Sequence, residues 1–65
     1  MTGILAWLFP PQPSRAEVRA EVWNLGARHR GDALSGARHE LEAPDLTESR
    51  ANLLRACVRD LEGRG

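Results

Sequence analysis

Gly31-Asp32, in the middle of the stretch "GARHRGDALSGARH", decides what this chain can fold into. Read as a stop followed by a start, the pair divides residues 14–42 into two short helices. Read through, it leaves one long helix. The long helix has a pattern in its favour: Ala16, Ala20, Trp23, Ala27, Leu34, Ala37 and Leu41 fall on steps of four and three residues, with Arg30 the break in a heptad seam. Against it stand Gly26, Gly31 and Gly36, each costing about 1 kcal/mol in a helix interior. Glycine takes the left-handed conformation of a helix C-terminus at little cost, and Asp is a good N-cap. The break is therefore the favoured reading, and it predicts a helical hairpin.

The flanking punctuation agrees. "SRAE" at Ser14–Glu17 has the spacing of a capping box, in which the Ser side chain and the acid three residues later satisfy each other's backbone amides. Arg28, His29 and Arg30 then suit the negative end of the first helix. Asp32 opens a second helix, "ALSGARHELE", with Leu34, Ala37 and Leu41 on one face, and Pro44 stops it. Asp45 or Thr47 caps a third, whose apolar stripe is Leu53, Leu54, Cys57, Val58 and Leu61, with Gly63 as its end. The expected fold is all-α: a small bundle of three short helices, about 14–30, 32–42 and 47–62. Before them, residues 1–13 form an apolar extended N-terminal hook and a proline-rich strap, so that 14–65 is a single helical mini-domain.

A chain of 65 residues with one cysteine has no internal disulfide to staple it. Domains of this size bury only about 60% of their unfolded surface and usually lean on a partner, a metal or a cross-link. An unpaired cysteine suits a reducing compartment, so a cytoplasmic location is expected. The apolar run Ile4–Phe9 lacks the basic start and small-residue cleavage site of a secretory signal. It is also far shorter than the roughly 20 residues that span a bilayer.

The motifs argue against chemistry. His29 and His39 have no zinc-ligand spacing, so no metal or other cofactor is expected. His29 lies in line with Val18, Val22 and Leu25 and reads as a half-buried structural histidine; His39 reads as solvated. No nucleophile elbow or phosphate-cradling loop is present, and Cys57 sits in the core stripe, where cysteine behaves as a small hydrophobe. The chain is expected not to be an enzyme and to take no small-molecule substrate. Net charge is zero, which gives no global pull toward nucleic acid or anionic lipid. All nine basic residues are arginine, as a GC-rich genome would produce. Arg28, Arg30 and Arg38 make the hairpin locally basic and support an alternative reading, a helix-turn-helix-like nucleic-acid-binding regulator. Glu40 and Glu42 on the would-be recognition helix oppose it.

What stands out is surplus apolar surface. Val18, Val22 and Leu25 form one side of the first helix. Ala16, Ala20, Trp23 and Ala27 form another, rotated by about 150°. Both sides need cover: the third helix covers one, and either the hook Ile4–Phe9, folding back to complete a compact monomer, or a second protein covers the other. The expected function is a non-enzymatic protein–protein interaction module (an accessory subunit, adaptor or inhibitor) that buries helix surface against a protein partner or a second copy of itself. Its contact residues would be Leu5, Trp7, Leu8 and Phe9 of the hook, and Trp23. A second alternative is a membrane-surface accessory protein with Trp7 and Phe9 at the lipid interface.

Overall fold

The computed structural model describes residues 12–64. The apolar hook, with Leu5, Trp7, Leu8 and Phe9, lies outside them. The fold is all-α, a small bundle of three helices: α1 (Arg15–Arg28), α2 (Ala33–Glu40) and α3 (Glu48–Arg64). Each helix packs on the other two.

Local chemistry sets the starts. At α1 the Ser14 amide donates to Glu17 Oε1 at 3.0 Å and the Glu17 amide donates to Ser14 Oγ at 3.1 Å, closing the capping box. Asp32 caps α2 by accepting from the Ser35 amide at 3.1 Å. At α3 it is Thr47, of the two candidates, that accepts from the third helical amide, Arg50 N–H, at 3.2 Å. Each such cap contributes about 1 kcal/mol.

The ends differ from the sequence expectation. α1 stops at Arg28 rather than Arg30, and two consecutive residues turn left-handed: Arg30 at φ 56° and Gly31 at φ 88°. The Gly31 amide donates back to the Gly26 carbonyl at 2.6 Å. That long-range bond of a Schellman-type ending places Arg30, not Gly31, at the left-handed C′ position. Asp32 N–H then bonds the His29 carbonyl at 3.0 Å and the chain enters α2. α2 ends at Glu40, short of residue 42, because its last turn tightens: Glu42 and Ala43 donate to His39 and Glu40 at 3.1 and 3.2 Å before Pro44. α3 runs past Gly63 to Arg64, with an Arg64–Asp60 ion pair of 2.8 Å across the final turn.

The core is small: Leu25 from α1, Ala33 and Ala37 from α2, Leu54 and Cys57 from α3. Val18, Val22, Leu41, Leu46, Leu53, Val58 and Leu61 pack around it. The inward face of α2 is therefore Ala33, Gly36 and Ala37, with Leu41 following. Leu34, expected on that face, is only half-buried and lies outside the core. With Ala33 turned inward as the first helical residue, Leu34 is swung about 100° aside.

The hairpin turn yields opposite-signed mutations. Arg30→Gly should stabilise the fold by up to about 1 kcal/mol, since the left-handed region strains an L-residue with a Cβ. Gly31→Ala should destabilise it by about 1 kcal/mol or more. Thermal melts of the two variants check both. A Gly31→Ala protein more stable than its parent would mean that the helix runs through.

Candidate functional site

The three helices meet at a charged junction beside the core. Glu21 projects from the middle of α1 on its inward side and is 7% exposed. Arg28 lies two turns further along the same helix, Glu40 at the end of α2 and Arg50 in the first turn of α3, fixed there by the Thr47 cap. Arg28 Nη2 donates to Glu21 Oε2 at 2.8 Å and to Glu40 Oε1 at 3.2 Å. Arg50 Nη2 donates to the same two oxygens, at 2.6 and 3.0 Å. The result is a closed square of alternating charge, with each acid between two guanidinium groups. Arg28 Nε reaches Glu40 Oε2 at 3.1 Å, and His29 Nε2 completes the set at 2.7 Å from that oxygen.

The electrostatics follow from these contacts. Burial pushes the Glu40 carboxyl up. Hydrogen bonds from His29, Arg28 and Arg50 outweigh it and hold the pKa at about 2. Glu21 is also lowered, first by the Arg50 hydrogen bond, against the opposing effect of burial. An ionised Glu40 accepts only, so the proton of this bond lies on His29 Nε2.

His29 is seated against bare backbone. A Cβ built on Gly36 would overlap its imidazole ring, so the glycine inside α2 is what lets the two elements close. The His39 ring stands edge-on, 6.5 Å away between centroids and at 73°. Both histidines line a polar surface hollow with Arg28, Arg30, Asp32 and Ser35. Among the described residues no group of three or more His, Cys, Asp or Glu side chains is arranged to hold a metal ion. Cys57 is fully buried, its Sγ 3.8 Å from the Val18 carbonyl, and burial raises its pKa, which disfavours the nucleophilic thiolate.

The structure separates the residues that the sequence brings to notice. Arg28 belongs to the charged square, and Arg38 pairs with Glu62 of α3. Arg30 sits exposed in the turn, with no ion pair to another described residue. Trp23 stands apart from all of these on the outer face of α1, 79% exposed, and is the exposed large hydrophobic side chain of the described residues. It forms one wall of a shallow groove of about 420 Å³ whose other lining includes Val22, Gly26, Ala27, Ala33 and Leu61. Ala16, Ala20 and Ala27 are exposed on the same outer face. The second apolar side of α1 is thus open within the described structure, while Val18, Val22 and Leu25 close on the core.

Sequence reasoning missed Glu21, Glu40 and Arg50. One signal for Glu21 was present: it lies three residues after Val18 and four before Leu25, inside the stripe that faces the core. No described helix is long and apolar enough to cross a membrane. Compared with known proteins, the chain matches no family model, no curated protein and no solved structure.

Two expectations arise from the junction. A carboxylate whose pKa is lowered on folding stabilises the fold above its ordinary value and loses that contribution as pH falls. For Glu40 the window runs from 4.5 down to about 2. The melting temperature should drop across it, and Glu40→Gln should flatten that slope while lowering stability at neutral pH; melts at stepped pH check both. Gly36→Ala sets two effects against each other. Alanine gains about 1 kcal/mol as a helix former. Displacing His29 forfeits a charge-assisted bond of about 1.5–3 kcal/mol. The substitution should therefore destabilise the parent protein, yet stabilise a His29→Ala background. A denaturant titration of the four-member cycle reads the change of sign.

Proposed function

We propose that this chain is a small non-enzymatic protein–protein interaction module, an accessory subunit, adaptor or inhibitor working in the cytoplasm. It acts by burying the outer face of α1 against a protein surface, with the N-terminal hook residues Leu5, Trp7, Leu8 and Phe9 adding to the contact. The observation that carries the reading is Trp23. A tryptophan 79% exposed, centred on a helix face of alanines and beside an apolar groove, leaves a large apolar area in water. Surfaces of this composition, an aromatic anchor among small residues, are those that gain most from a partner. Two charged residues of α1 lend weight from the other direction: Glu21 is buried and Arg28, though exposed, pairs with it on the opposite side of the helix, so neither solvates the Trp23 face. The nucleic-acid reading has less support, because Arg28 and Arg38 are both occupied by carboxylates and the net charge is zero.

Because Trp23 is outside the core, Trp23→Ser should leave stability within about 0.5 kcal/mol of the parent. It should still abolish association. Size by sedimentation, together with the set of proteins retained by the tagged chain from its native extract, compares the two. Identical size and identical retained proteins for parent and variant would remove the outer face of α1 as the interface.

A further inference from the structure

We infer that the occupant of the Trp23 face is a second copy of this chain, docked antiparallel across a two-fold axis that passes between Glu21 and Val22. This inference rests on the interaction-module reading and names its partner.

The face has a self-complementary register. On the helix wheel Ala16, Ala20, Trp23 and Ala27 lie within an arc of about 60°, roughly opposite the direction in which Leu25 enters the core. Their order along α1 is symmetric. The midpoint of Ala16 and Ala27 coincides with the midpoint of Ala20 and Trp23. Laying a second α1 antiparallel about that point sets Ala16 against Ala27 of the second copy, and Ala20 against its Trp23. Every aromatic side chain then meets a small one. A parallel pair would instead put Trp23 on Trp23 in one layer and alanine on alanine in the other three, so the indoles would wedge apart a seam that otherwise closes. Alanine seams allow the close end of the usual 8–10 Å between helix axes. The two indoles lie in neighbouring layers, within reach of offset stacking.

The flanks of the face do not oppose this register. Glu17 and Asn24 border it on one side, Arg19 and Gly26 on the other. In the antiparallel register Glu17 faces Asn24 of the second copy, and Arg19 faces its Gly26. No like charges are opposed along either edge. Gly26 lines the groove beside Trp23, and its missing side chain leaves room there for the Arg19 methylenes of the second copy. Antiparallel α1 helices also set each positive end beside a negative one, a small favourable effect.

The seam is short, about 21 Å for α1 at ~1.5 Å per residue, so the dimer belongs to the weak, reversible class. Sedimentation equilibrium of the full-length chain, from micromolar to millimolar, should show particles of twice 7.2 kDa at the upper end. Trp23→Ala and Ala20→Trp should each raise the dimer dissociation constant by about tenfold or more. The double variant Ala20→Trp/Trp23→Ala restores one large and one small residue to each central layer, and should recover most of the loss. Orientation has its own readout: a mixture of Ala16→Cys and Ala27→Cys chains should form a disulfide dimer on mild oxidation, and neither should do so alone. A double variant no better than the weaker single one, or efficient cross-linking of either cysteine variant by itself, overturns the register. A chain that stays monomeric, yet needs Trp23 to retain another protein, overturns the self-pairing and leaves the interaction module standing. A monomer that retains nothing through Trp23 overturns both.

Discussion

One square of four charges ties the three helices of this fold together. Glu21 and Glu40 each sit between Arg28 and Arg50, with contacts from 2.6 to 3.2 Å. The apolar core has only five buried members, two of them alanines, with seven partly buried side chains packed around it. The charges add directional specificity to it, because a guanidinium fork accepts carboxylates in few directions. Taking either acid away leaves two cations side by side with one partner between them. Three of the four side chains are part-exposed, so the square as a whole contributes little over an apolar replacement, while removing the buried Glu21 leaves two cations without the partner they share. The square is therefore better understood as fixing which packing occurs than as a large source of stability.

The hairpin turn follows from the same demand. Arg28 and His29 are neighbours in the chain, and both must reach Glu40 on the next helix. That requires α1 to end at Arg28 and the backbone to reverse at once. A left-handed arginine at residue 30 and a side-chain-free residue at 36 are the local means. Arg30 bears strain that glycine would not, and Gly36 forgoes the helix propensity of alanine. Both costs, of about 1 kcal/mol each, are set against a carboxylate that gathers three donors.

Turning charge inward has a consequence outside. α1 is amphipathic in an inverted sense over part of its circumference: Glu21 and Arg28 face the other helices, while Trp23 and three alanines face water. Val18, Val22 and Leu25 still supply the apolar contact to the core. The helix thus carries apolar residues on two opposed sides, and among the described residues the other two helices cover one of them. The open side and the inward-turned Glu21 are two aspects of a single arrangement, and the interaction surface proposed for this protein builds on it.

The sequence by itself determined the punctuation. Ser14 with Glu17, Asp32, Thr47, Gly31 and Pro44 act on amides and carbonyls within a few residues of themselves, so their effect is readable from spacing alone. The same holds for the α3 stripe through Leu54 and Cys57, and for the two-sidedness of α1, which are matters of helical period. The tertiary structure alone decided which acids meet which arginines. Glu40 meets Arg28 across twelve residues and Arg50 across ten, and Glu21 meets Arg50 across twenty-nine. Nine acids and nine arginines allow many such pairings with nearly equal Coulomb energy in water. Only when the helices close around Leu25 and Leu54 does the dielectric fall and the geometry narrow enough to select one, which is why Arg28 looks from the sequence like a free surface cation and is in the folded chain a structural one.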